Sequence, residues 1–112
     1  MIREIKISDD FREAVASGKF FLADFYADWC IPCKELDALT FSDNRVLKQF
    51  ERFTIYKVDM TKNNEINESL RKRFNVIGMP TVLIIDSKGN EIKRLTGFVN
   101  ADEFLSMVKD VN

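Results

Sequence analysis

Seven residues near the N-terminal third, Phe20-Phe21-Leu22-Ala23-Asp24-Phe25-Tyr26, are apolar except for Asp24. A run of this length and aromatic content has the character of a buried central strand. It is also far short of the ~20 apolar residues that a membrane span requires, so no direct membrane insertion is expected. The elements around it fit that strand into a layered fold. Ile2 to Ile7 alternates apolar and polar as a strand does, and Ser8-Asp9 offers capping oxygens for a short helix ending at Gly18. Beyond Cys33 a helical stretch runs from Lys34 to Leu39 and is interrupted at Thr40-Phe41-Ser42-Asp43. Ser42 and Asp43 can cap a second helical piece, Asn44 to Glu51, with Val46, Leu47 and Phe50 on one face.

Phe53 to Asp59 reads as the next strand, and Asn64 to Phe74 as a helix in which Ile66, Leu70 and Phe74 recur at a spacing of four. Val82 to Ile85 and Glu91 to Thr96 are two strands joined by Asp86-Ser87-Lys88-Gly89-Asn90, short and turn-rich enough for an antiparallel hairpin. Asn100 followed by Glu103 resembles a capping box, and Phe104, Leu105, Val108 and Val111 give the last helix its buried side. Alternating strands and helices predict parallel neighbours with right-handed crossovers, and the hairpin adds antiparallel strands. The expected fold is α/β, a three-layer sandwich with a mixed central sheet and helices on both faces, built as one domain over residues 1–112.

The composition narrows function mainly by exclusion. Seventeen basic residues stand against 18 acidic ones, so nothing calls for nucleic acid as a partner. The N-terminal Met1-Ile2-Arg3-Glu4-Ile5-Lys6 lacks the apolar core of a secretion signal, which for the chain as given predicts a cytoplasmic location. There are two cysteines and no histidine. A structural zinc site needs four ligands, so no metal is expected, and a local cysteine pair closes too small a loop to be chiefly a staple.

The pair reads instead as chemistry. In Trp29-Cys30-Ile31-Pro32-Cys33-Lys34 the first cysteine ends a central strand and begins a helix. Unpaired N–H groups and the helix dipole there stabilise a thiolate, and thiols in such settings titrate at about 3.5–7.5 instead of about 8.5. Cys33, three residues on, lies about one turn along nearly the same face, within reach of Cys30. Pro32 belongs in the first helical turn, where its missing N–H has no partner to lose.

The run Ala23-Asp24-Phe25-Tyr26-Ala27-Asp28-Trp29-Cys30 through Cys33-Lys34, with Gly78-Met79-Pro80-Thr81 downstream, resembles thioredoxin over essentially the whole chain. A finer resemblance, carried by Tyr26 to Cys30, Cys33-Lys34-Glu35 and Thr40-Phe41-Ser42-Asp43, is to the C-terminal domains of thiol:disulfide interchange proteins of the DsbD type. Typical thioredoxins carry glycine where Ile31 stands and a kinking proline where Ala38 stands. The resemblance implies a cis peptide at Met79-Pro80 with the Met79 backbone pairing with an extended substrate. It implies a buried acid at Asp24 neighboured by Lys57, and a second acid at Asp37. It also implies a periplasmic location if the chain belongs to a longer DsbD-like protein.

The residues themselves leave some roles open. Asp24, costly to bury as an anion, is either a charge paired with Lys57 or a proton acceptor for Cys33. Asp37 is either solvated helix surface or part of the site. Trp29 is either a core aromatic or a half-exposed cover for the dithiol that meets partners.

The expected function is a thiol–disulfide oxidoreductase that reduces protein disulfides, with an accessible Cys30 attacking and a shielded Cys33 resolving. Its only redox group would be the Cys30–Cys33 pair, without a cofactor. Trp29, Met79-Pro80 and Gly97-Phe98 would receive the substrate segment. The implied partners are disulfide-containing proteins and an upstream reductase or membrane electron donor, acting on a monomer. The absence of a histidine between the cysteines removes one cationic stabiliser of the thiolate and favours a reductant over a strong oxidant. The alternative is an electron-relay module dedicated to one partner.

Overall fold

The run Phe20–Tyr26 is a strand at the middle of a five-stranded sheet, in a computed structural model that describes residues 2–4 and 20–111. The strands are β1 (Ile2–Glu4), β2 (Phe20–Tyr26), β3 (Phe53–Asp59), β4 (Thr81–Ile85) and β5 (Glu91–Thr96), in the order β1-β3-β2-β4-β5. β1 and β2 both pair with β3 in parallel, whereas β4 runs antiparallel to β2 and β5 antiparallel to β4. The mixed sheet and its terminal hairpin therefore form as the element order predicts. The remainder of the first predicted strand and the helix ending at Gly18 lie outside the described residues.

The helices are α1 (Ile31–Glu35), α2 (Asn44–Phe50), α3 (Glu65–Phe74) and α4 (Ala101–Val108), with a π-helical turn, Leu36–Thr40, continuing α1. Phe41 N–H reaches back five residues to Leu36 O at 2.9 Å. The helix predicted over Lys34 to Leu39 thus begins earlier, at Ile31, because Pro32 loses nothing in a first turn. Ala38, where typical thioredoxins carry proline, lies within the π-helical turn.

Both residue parities of the central strands are buried, so the sheet has two dry faces. On one, Leu22, Ile55, Val82 and Ile84 meet Leu36, Val46, Phe50, Phe104 and Val108 from α1–π, α2 and α4. On the other, Phe21, Phe25, Tyr56, Val58, Leu83 and Ile85 meet Leu70 and Phe74 of α3 and Val76 just beyond it. Helices on both faces are as predicted. Phe41, Phe50 and Phe104 pack edge to face with centroids 5.1 to 5.9 Å apart, an arrangement that adds about 0.5–1.5 kcal/mol per pair beyond area burial.

Two inward assignments change. Leu47 is exposed, because Val46 and Phe50, four apart, already define the buried stripe of α2. Ile66 is also exposed, and Asn67 faces inward in its place, donating from Nδ2 to Lys62 O at 2.6 Å. Burying an amide is tolerable when its hydrogen bond is made.

Candidate active site

β2 and β3 are parallel and end on the same rim, and antiparallel β4 begins there, so three distant segments converge on one edge of the sheet. Met60 N–H donates to Tyr26 O at 2.7 Å, and Asp28 N–H donates to Thr61 Oγ1 at 2.9 Å. Thr61 Oγ1 in turn donates to Asp59 Oδ1 at 2.5 Å. These bonds fasten the turn before Cys30, whose own N–H donates to Ala27 O at 3.1 Å.

Cys30 is the N-cap of α1, and its Sγ accepts the Cys33 N–H at 3.2 Å. A disulfide joins the two residues, with their Cα atoms 5.3 Å apart. Pro32 lies in the first turn as expected. The accessible Cys30 above a shielded Cys33 does not appear in this oxidised form, where both residues are 4% exposed. The bond holds both sulfurs in one pocket, and Ala27, Tyr26 and Met79 pack around them.

The residues expected to receive substrate do gather here. Trp29 is 63% exposed, which removes the core-aromatic reading. Met79 precedes Pro80 through a cis peptide and packs against the cysteines. Gly97 N–H donates to Pro80 O at 2.8 Å, from a backbone with φ +86° that favours glycine, and the exposed Phe98 follows it. Thr81 Oγ1 donates to Gly78 O, which fixes the loop from below.

The pairing of β2 with β3 sets Asp24 opposite Lys57 and builds a charged cluster that the sequence resolves only in part. Asp24 is 2% exposed, and its Oδ2 accepts from Lys57 Nζ at 2.9 Å. The same ammonium donates to both Asp37 carboxylate oxygens at 3.0 and 3.1 Å and stands 4.7 Å from the centre of the Tyr26 ring. Asp37 is therefore part of this cluster, half exposed though it is. Asp24 Oδ1 is buried and accepts no hydrogen bond from the described residues. Burial pushes the Asp24 carboxyl above its usual range, with Asp37 adding to the rise, and Lys57 offsets only part of it. For Lys57 burial acts downward, but the two carboxylates outweigh it and hold the ammonium above its usual value. A cleft of about 340 Å³ opens beside Asp24, Asp37 and Lys57.

Three contributors escape a reading of the sequence. Tyr26 is the aromatic between Lys57 and the cysteines, Thr61 ties the turn before Cys30, and Thr40 Oγ1 donates to Val99 O at 2.5 Å, joining the π-helical turn to the segment after Gly97. Only Thr61 carries a local signal, its own N–H accepted by Asp59 Oδ1 two residues earlier at 2.9 Å.

The sequence model of the thioredoxin-like domain family matches residues 7–112. Thiol:disulfide interchange protein DsbD of Haemophilus influenzae strain PittEE is 44% identical over 111 residues, covering 96% of this chain but 19% of that protein. The chain thus spans about a fifth of the length of the curated relatives it matches. The oxidised C-terminal domain of Neisseria meningitidis DsbD superposes with a TM-score of 0.81 at 30% identity, covering 97% of this chain and 99% of that domain. A thioredoxin from Thermus thermophilus superposes with a TM-score of 0.79 at 25% identity, covering 98% of this chain and 86% of that one. With likenesses that run nearly end to end, the chain belongs to the thioredoxin-like family, alongside the C-terminal domain of DsbD.

Proposed function

We propose that this chain is a thiol–disulfide oxidoreductase that reduces protein disulfides by dithiol exchange through Cys30 and Cys33. The observation that carries the reading is the disulfide at a helix N-terminus, with Cys30 Sγ accepting the Cys33 N–H. The same donor that meets the sulfur here stabilises a thiolate on it once the bond is reduced.

In the reduced protein the Cys30 thiolate attacks one sulfur of a substrate disulfide. That S–S bond breaks, the other substrate sulfur leaves as a thiolate, and a mixed disulfide forms. Cys33 then gives up its proton and attacks Cys30 Sγ, which expels the second substrate thiolate and closes the Cys30–Cys33 bond. The substrate gains two electrons, and the proton given up by Cys33 together with one taken from solvent balances the two substrate thiols. A dithiol donor reopens the bond for the next cycle, and no cofactor beyond the cysteine pair takes part.

Asp24, its proton affinity increased by burial and its Oδ1 without a hydrogen bond from the described residues, is the acceptor for the Cys33 proton. Lys57 and Asp37 hold it in place, and the adjoining cleft gives water a route by which the proton can leave. Because both cysteines are enclosed in the oxidised form, substrate access depends on the reduced form opening around Cys30. Trp29, Met79-Pro80 and Gly97-Phe98 line that approach.

Insulin reduction with a recycling dithiol tests the assignment. C30S should fall to the uncatalysed rate, and C33S should accumulate a covalent adduct visible by mass spectrometry. A C30S protein with unaltered turnover overturns the nucleophile.

The second reading is an electron relay, favoured by the likeness to one domain of the longer interchange proteins. On it, the domain draws on a membrane electron donor, faces the periplasm and serves few partners. A free reductase acts as a cytoplasmic monomer on many. Comparable rates on unrelated protein disulfides support the free reductase, and activity confined to one partner supports the relay.

A further inference from the structure

Beside the disulfide a cleft of about 490 Å³ is lined by Trp29, Met79, Ile77, Lys62 and Arg71 among others. It adjoins the redox pair, because Trp29 precedes Cys30 and Met79 packs against the cluster that holds both cysteines. The apolar side chains there are unusually open, with Trp29 63% and Ile77 87% exposed. Its lining carries two cations, Lys62 and Arg71, and no carboxylate among the described residues.

Neither cation is neutralised by a close partner among the described residues. Arg71 meets only Glu68, at 3.9 Å between two solvent-facing side chains, and Lys62 makes no ion pair. The Lys62 backbone is nevertheless fixed, since its carbonyl accepts from the buried Asn67. The nearby acids Asp28 and Asp59 line a different depression, which shares Thr61 and Lys62 with the cleft. The two acids therefore belong to a different lining, and the cleft itself presents cations.

We infer that this cleft selects disulfides whose cysteine is followed or preceded, a few residues away, by acidic side chains, with an apolar residue between. The apolar residue lies on Trp29 and Ile77, and the carboxylates meet Lys62 and Arg71. The inference rests on the exchange chemistry proposed above and names the substrate class for that same site. Complementary charge at an exposed rim acts chiefly on association, so the preference is for faster capture and weakens as salt screens it.

The test uses the reduced protein, freed of reductant, with symmetrical disulfides of three short peptides that differ only in acidic, neutral or basic flanks. Each turnover converts one peptide disulfide to two peptide thiols as the Cys30–Cys33 bond forms, and thiol release is followed by chromatography. Each rate is divided by that for 2-hydroxyethyl disulfide, a small uncharged substrate, which removes changes in intrinsic reactivity. At low ionic strength the acidic peptide should exceed the basic one about tenfold, narrowing to within about twofold at 0.5 M salt. K62Q/R71Q should abolish the difference, and K62E/R71E should reverse it. Equal ratios for the three peptides in the wild type, with 2-hydroxyethyl disulfide consumed normally, overturn the inference and leave the proposed function standing. A preference that survives K62Q/R71Q overturns it as well. Failure to consume 2-hydroxyethyl disulfide at all overturns the proposed function, and the inference falls with it.

Discussion

Asp24 is an acid kept where ionisation is costly, and its ion pair with Lys57 leaves one oxygen without a hydrogen-bond donor from the described residues. Burial, reinforced by Asp37 and opposed by Lys57, raises its proton affinity in the folded chain above the unfolded value near 3.8. Between that value and the raised one the folded state binds more protons than the unfolded state, so stability declines as pH rises through the window. The deficit is complete above it. D24N should therefore melt at a higher temperature than wild type at pH 7, with the gain shrinking as pH falls toward 4, as read by thermal unfolding across pH. Lys57 still has Asp37 as counter-charge in that variant. The same substitution should slow release of the mixed disulfide at neutral pH by about tenfold to hundredfold, the scale of a lost proton acceptor, measured by stopped flow. A protein made more stable and slower by one atom change places Asp24 among residues retained for chemistry at the expense of stability. A pH-independent stability difference would contradict the raised proton affinity.

At the scale of elements, the ends of helices are set by local bonds that can be removed one at a time. Asn100 Oδ1 accepts the Glu103 N–H at 2.8 Å while Glu103 Oε1 accepts the Asn100 N–H at 3.0 Å, closing the box at the start of α4. N100A should cost about 1 kcal/mol and lower the melting temperature by about 4–8 °C, with N100S close to wild type. Such features are legible in a sequence because all their atoms lie within four residues. The same locality made β2, the hairpin and the Asp43 cap of α2 readable. It fails where several apolar residues compete for one face. Nothing near Leu47 says that Val46 and Phe50 will face inward without it, or near Ile66 that Asn67 will turn inward instead, since only the opposing sheet decides. The π-helical turn at Leu36–Thr40 has no marker at all, because a bond such as Phe41 N–H to Leu36 O is a choice of register that the same residues can make otherwise.

Across the whole molecule, two dry faces share one sheet, and each relies on a few large side chains. Phe104 is fully buried between Phe41 and Phe50, so F104A should remove about 3–5 kcal/mol, to be read from the denaturant midpoint. Against a total of about 5–15 kcal/mol for a domain, that is a large share. The site depends on the same long-range order. Lys57 meets Asp37 from 20 residues away and Asp24 from 33, and Thr61 reaches Asp28 across 33. The cysteine motif declares the chemistry, and family likeness suggests Asp24, Asp37 and Lys57. The sharing of one ammonium by two acids, and the tie from Thr61, exist only once β2 and β3 lie side by side. The direction of β4 has one more outcome. Ile85 pairs with Phe21 and Thr81 with Phe25, so the Asp86–Asn90 hairpin hangs from the pole opposite the cysteines, roughly 20 Å away along the strands. A fluorophore, bead or electrode grafted at Ser87 or Lys88 would leave the redox mouth facing solution, ready to trade electrons with whatever arrives.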